Sequence, residues 1–307
     1  MKRFIKKAAI FSIIIILSLI IFPTILPKNE TNIMHSIEDK HSRLLSSSRS
    51  KLVFIGGSNL LYGLDSERVQ VEYKEYEVVN MGLHAGLGMR YMLDDLYEYL
   101  REGDIVVLSM EYEQFYGTMN GEAALGILLK EEPKEWSNIT ARQLKEYIKN
   151  YPIFIRGQIA GCMKSIINGV EDPIQNRKYV NKYGDLIGHL DKESPENIGG
   201  IYLKDFDEAS IEYLNNYYNK ATEKDVKVYL SWPSLYIREY DKNIGKIEEL
   251  ENALKIGCKI PIISEVNNYL FNKDEMFDTA YHLSIEGRER RTDILINDLS
   301  TIISKGN

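Results

Sequence analysis

The longest apolar stretch of the chain comes first. Residues 8–26 read AAIFSIIIILSLIIFPTIL and carry no charge. A run of that length approaches the roughly 20 apolar residues a helix needs to span a bilayer. Lys2, Arg3, Lys6 and Lys7 precede it, which favours a cytoplasmic N-terminus and export of the rest of the chain. A cleaved signal peptide is the rival reading. However, no small-residue cleavage pattern closes the run, and no cysteine comes after it for lipid attachment. The expectation is a single-pass cell-membrane anchor over 1–27, inserted through residues 8–26, then a polar tether over 28–50, in part helical or not, and a domain working outside the cytoplasm.

Beyond residue 50, short apolar runs alternate with amphipathic stretches. Residues 51–55 (KLVFI) end in Gly56-Gly57, which reads as a buried strand and a tight turn. Residues 77–80 (EVVN) predict a second strand and 105–108 (IVVL) a third. Between them, apolar positions 89, 92, 93, 96 and 100 fall at helical spacing. A helix-like stretch over 208–222 precedes a fourth strand over 224–230, and 260–263 reads as a short fifth. A closing helix covers 284–303, with Ile294, Leu295, Leu299, Ile302 and Ile303 on or near one face. Strands separated by helices predict an α/β domain over 51–303, a parallel sheet with helices on both sides. Ligands of such sheets bind beyond the carboxyl ends of the strands. Ser58, Gly82 and the segments after Leu108 and Leu230 all lie at such ends. Residues 117–200 break the alternation and read as an inserted, partly helical region over that edge.

Composition narrows the function classes. Hydrophobic residues at 44% and charged residues at 27% are ordinary for a globular protein and argue against disorder. The net charge of −7 argues against a nucleic-acid partner, which calls for a basic face. Two cysteines, Cys162 and Cys258, exclude a disulfide framework and a multi-cysteine zinc site; one bridge or two buried thiols both remain open.

Three segments carry candidate chemistry. In Gly56-Gly57-Ser58-Asn59, a serine just past a strand can stand at the mouth of a helix with its hydroxyl exposed. An equal reading makes Ser58 a helix N-cap. In the segment 277–284 (FDTAYHLS), Asp278 and His282 are four residues apart, a spacing that lets a carboxylate hold an imidazole in one tautomer as a general base. A surface histidine before a helix is the plainer alternative, and no second histidine or cysteine stands at ligand spacing for a metal. In the segment 79–88 (VNMGLHAGLG), glycines free backbone N–H groups to face an oxyanion. Their spacing does not match a dinucleotide fingerprint. Trp232, after the fourth strand, reads as a pocket wall or as core. Glu111 and Glu113 read as solvated carboxylates, and Arg288, Arg290 and Arg291 as a charged helix face.

Taken together and in order, these segments resemble the SGNH/GDSL hydrolase superfamily, over residues 51–115 and 225–303. The stretches VFIGGSNLLYGLDS, VVNMGLHAGLGMRYMLDDL, GDIVVLSMEYEQF and FDTAYHLSIEGRERRTDIL are most similar to membrane-anchored SGNH-like proteins encoded with bacterial surface-polysaccharide genes. The chain is distantly similar to the D-alanyl transfer protein of lipoteichoic-acid modification and to alginate O-acetylation proteins. The resemblance implies a three-layer, flavodoxin-like α/β/α fold. It implies Ser58 as nucleophile, His282 as base, Asp278 as the group orienting His282, and the N–H groups of Ser58 and Gly82 as oxyanion donors. No metal or organic cofactor is implied. The substrate class would be acyl esters, acetyl first, of a cell-surface polysaccharide, with water or a sugar hydroxyl as acceptor and a multi-pass membrane acyltransferase as a possible partner. The chain departs from the family pattern in three places. Gly57 stands where the family has Asp, D-x-x-x-H replaces D-x-x-H, and no G-x-N-D block exists, so Ser109 to Glu113 take its place. Asn59 and Asn80 are then the candidates for a further oxyanion or substrate contact. These departures support an alternative, a non-catalytic membrane-anchored glycan-binding or scaffold protein. A nucleotide binder of the same fold lacks its phosphate loop.

Overall fold

A computed structural model describes residues 2–25, 29–168 and 174–303. The N-terminal apolar run is helical, in α1 (Lys2–Ile25). Leu26, Pro27 and Lys28, the expected end of the anchor and start of the tether, lie outside the described residues. Among the described residues no helix is long and apolar enough to cross a membrane.

The expected tether is part of the folded domain instead. A 3-10 turn (Ile33–His35) opens with the Asn32 side chain accepting from the Met34 N–H at 2.9 Å, and α2 (Ser36–Ser46) comes next. Ile33, Met34, Ile37 and Leu44 are all buried in the main core. The segment reads as polar because its apolar positions are few and spaced along one helical stripe, which is enough to bury a single face.

The sheet has four parallel strands, β1 (Lys51–Gly56), β2 (Glu77–Asn80), β3 (Ile105–Ser109) and β4 (Lys227–Leu230), in the order β2-β1-β3-β4. Val53 pairs with Val79 on one side and Val106 on the other. Successive strand residues point to opposite faces, and both faces are covered. Val53, Ile55, Val79, Val106 and Leu108 join the larger core with α5 (Met89–Tyr97), α8 (Ala209–Glu223) and α9 (Ile237–Gly257). Leu52, Phe54, Val78, Ile105 and Val107 join a smaller core with α3 (Ser58–Gly63), α4 (Ser66–Glu72) and α10 (Ile285–Ser300). Burial on two faces explains why the strands read as continuous apolar runs rather than alternating ones.

The expected fifth strand shrinks to one parallel bridge, Leu230 with Ile262. Pro261 accepts from the Leu230 N–H at 2.9 Å but has no N–H of its own to continue a ladder. A separate pair of two-residue strands, β5 (Leu235–Tyr236) and β6 (Leu270–Phe271), lies beyond it.

The insertion contains α6 (Ala123–Glu131) and α7 (Ala141–Asn168), which pack on each other; residues 169–173 lie outside the described residues. Its later part runs over the expected edge. The Asn80 N–H donates to Tyr183 O, the Leu186 N–H to Leu61 O, and the Gly199 N–H to Asp278 O. Lys40 of α2 locks this arrangement, with Nζ donating to Asn80 O at 2.7 Å and Gly184 O at 2.6 Å. Cys162 and Cys258 are both free thiols, so the bridge left open by the sequence is not formed.

Candidate active site

Strand β1 ends at Gly56, and Ser58 opens α3 with Gly57 as its N-cap. Ser58 is therefore the first residue of the helix rather than its cap. It is half-buried, and its hydroxyl donates to Glu111 Oε1 at 3.2 Å. Tyr62 stands one helical turn on, on the same face of α3 as Ser58. Its ring stacks on His282, centroids 3.8 Å apart and planes 1° from parallel. Ser58 and the Tyr62 ring that carries His282 thus share one face of one short helix.

Asp278 and His282 meet as expected despite the extra residue between them. Nδ1 of His282 lies 2.6 Å from Asp278 Oδ1, and the backbone closes into a tight loop in which the Phe277 N–H donates to His282 O at 2.8 Å. Thr279 Oγ1 accepts from the His282 N–H at 3.2 Å and fixes the loop further. Burial works to raise the Asp278 pKa. The hydrogen bond and charge of His282 outweigh it and hold the carboxyl below its ordinary value.

The oxyanion donors divide. The Gly82 N–H already has an acceptor, Asn80 Oδ1 at 2.8 Å. Asn80 is fully buried, and its Nδ2 donates to Leu60 O and to Asp185 Oδ1. Asn59 is fully buried too, with Nδ2 donating to Ser109 O at 3.0 Å. Both asparagine side chains hold the loops together rather than face a ligand. Trp232 is 2% exposed, with its Nε1 donating to Ser264 O. It belongs to the core and not to a pocket wall.

Glu111 corrects the sequence reading most sharply, because it is buried, not solvated. Besides the Ser58 hydroxyl, its Oε1 accepts from the Asn59 N–H at 2.9 Å, at the start of α3. Burial raises its pKa, while the Asn59 N–H, His282 and Ser58 pull the other way. A Cβ on Gly57 would fall 2.5 Å from Glu111 Oε1 and 2.8 Å from the Ala85 Cβ. A side chain at position 57 would therefore need Glu111 and Ala85 to give way. Glu113 is also withdrawn from solvent. It accepts from Tyr281 Oη at 2.6 Å, and burial, then Glu111, pushes its pKa up to about 7.

The final helix was expected to show its arginines to solvent. Instead Arg288 and Arg291 point inward. Arg291 donates to Asn59 O at 2.5 Å, to Asn59 Oδ1 at 2.8 Å and to Ser109 Oγ at 3.0 Å, so it grips the chain next to Ser58 from behind. Burial brings its pKa down to about 10. Arg288 donates to Leu64 O at 2.9 Å, and Arg290 reaches Leu270 O.

Two histidines were not singled out from the sequence. His84 has an exposed ring whose Nδ1 accepts from the Gly86 N–H at 3.0 Å, an assignment that leaves the proton on Nε2. Desolvation, then the charge of His282, works to lower its pKa. His189, from the insertion, packs between Tyr62 and Phe277, with Nε2 3.1 Å from Leu283 O. Burial, then His282, lowers its pKa to about 4. The glycine-rich loop and the irregular insertion gave these two residues no local period to stand out from.

Among the described residues one group has the donors for a metal ion, His41, Asp95 and Glu135, all buried, with ligand atoms within 4.8 Å of one another. They stand on α2, on α5 and on the 3-10 turn Pro133–Asn138, and none belongs to the Ser58 cluster.

No protein-family model matches the chain, and no curated protein matches it.

Proposed function

We propose that the protein is an SGNH-type serine esterase or O-acyltransferase acting on acyl esters of a cell-surface polysaccharide. The observation that carries this reading is the Asp278–His282 pair at 2.6 Å, stacked on Tyr62 over the helical face that begins with Ser58. Ser58 Oγ turns from Glu111 to His282 Nε2 and attacks the ester carbonyl carbon as His282 takes its proton. The carbonyl oxygen becomes an oxyanion beside the N–H of Ser58, at the positive end of α3. Collapse breaks the ester C–O bond, His282 returns the proton to the leaving oxygen, and an acyl-serine remains. Water or a sugar hydroxyl, deprotonated by His282, resolves it. His84, which His282 reaches electrostatically, would offer its Nε2–H as a second donor.

The uncharged run over residues 8–26, with four basic residues before it, supports an anchor in the cell membrane, N-terminus inside, that keeps this chemistry at the outer surface. A multi-pass membrane acyltransferase would be the natural source of acyl groups in the transferase case.

The full chain treated with a fluorophosphonate serine-hydrolase probe should gain one adduct on Ser58. The adduct should be absent in Ser58→Ala and slowed in His282→Ala. A second reading, a non-catalytic glycan-binding or scaffold protein, is favoured by the Ser58 hydroxyl resting on Glu111 and by the occupied Gly82 N–H. It expects no adduct on folded protein, and that result would displace the enzyme reading.

A further inference from the structure

Helix α7 packs on α6 through one face. Gln143, Tyr147 and Phe154 are buried, and the Phe154 ring fills the space above Gly126 of α6, where a Cβ would fall 2.8 Å from it. This contact fixes the rotation of the helix. At 3.6 residues per turn, Leu144, Ile148, Ile159 and Met163 then share a second face, and all four are exposed, from 40% to 56%. Next to that stripe run Arg142, Lys145, Lys149 and Arg156, also exposed. Residues 141–163 hold these four basic side chains and a single acidic one, Glu146, in a chain of net charge −7. An apolar stripe flanked by cations on a long helix is the make-up of a segment that lies in a lipid interface, with its apolar side chains among the acyl chains and its cations at the headgroups. Helix α7 also touches α1, the proposed anchor, so it stands next to the part of the chain that would already be at the bilayer.

We propose that the exposed face of α7 lies on an anionic membrane surface, seating the domain against the bilayer. This rests on the anchor reading given above. The seat would fix the orientation of the Ser58 rim relative to the membrane.

The test uses the full chain in lipid nanodiscs, with Cys162→Ser and Cys258→Ser. An environment-sensitive dye is placed at Ile148→Cys, at Ile159→Cys or, as the reference, at Ile256→Cys on α9. In discs containing phosphatidylglycerol, dyes at 148 and 159 should shift to the blue and lose intensity to nitroxide-labelled acyl chains, while the dye at 256 does neither. Combining Lys145→Glu, Lys149→Glu and Arg156→Glu, all on exposed positions, should return the first two to the spectrum seen at 256. Retention in the discs reports the anchor separately. A retained chain whose dyes at 148 and 159 stay in water keeps the anchor and overturns the seat. A chain retained in neither anionic nor neutral discs overturns both. A blue shift that grows with protein concentration without lipid would assign the stripe to a second copy of the chain and overturn the lipid assignment.

Discussion

Asp278 and Glu111 show how much of the candidate site is decided by single side chains. Asp278 is held below its ordinary pKa by His282, so its help to the base is fully present above the usual carboxylate range near 4 and is lost as pH falls through the depressed value. Asp278→Asn should leave the fold intact and slow probe labelling of Ser58 by on the order of 10²–10⁴, since an amide cannot hold the productive tautomer. Labelling rates at pH 7 would check it. Glu111 caps the start of α3 from the end of β3. Glu111→Ala would strand the Asn59 N–H in the interior and should cost about 1–3 kcal/mol in chemical denaturation. Glu111→Gln keeps an acceptor oxygen in place and should cost less. The sequence offered no sign of this role. Glu111 and Asn59 are 52 positions apart, and a long-range acceptor leaves no trace in a local pattern of polarity.

At the scale of elements, the strands were readable because both their faces are buried, and the three chemical segments were readable because each comes directly after a strand or closes the chain before its last helix. Helix α9 was not, although it runs for 21 residues. Nine of its 21 residues are charged, and only Glu239, Ile247, Leu250 and Leu254 are buried, too thin a stripe to announce a helix. The same thinness hid α2. A chain beginning at residue 29 should unfold cooperatively, whereas one beginning at residue 47 should lack a fixed near-ultraviolet circular dichroism signal. The second loses Ile33, Met34, Ile37 and Leu44 from the core at about 1.5–3 kcal/mol each, a sum comparable to the whole stability of an ordinary domain. It also loses Lys40, whose two carbonyl contacts pin the insertion to the end of β2.

At the scale of the molecule, two ionisable groups, half-buried Glu113 and buried Lys40, shape the pH response. Glu113, near 7 when folded and about 4.3 when unfolded, binds more protons in the native state, so its contribution to stability falls as pH rises between those values. Lys40 is lowered to about 7 by burial, against about 10.4 unfolded, so its contribution rises with pH above 7 and levels off near the unfolded value. Together they place a trough in stability near neutrality. Melting temperatures from pH 5 to 9 should show Glu113→Gln flattening the acid limb and Lys40→Met the alkaline one. The parallel sheet itself joins distant parts of the chain, and the Ser58 cluster inherits that property. Arg291 reaches Asn59 across 232 positions, and His282 arrives almost as late. A ribosome making this chain therefore delivers Ser58 early, and His282, Asp278 and Arg291 near the end. On the proposed reading, a nascent protein being threaded across a membrane would carry an inert serine, and its chemistry would switch on only with the last turns of synthesis.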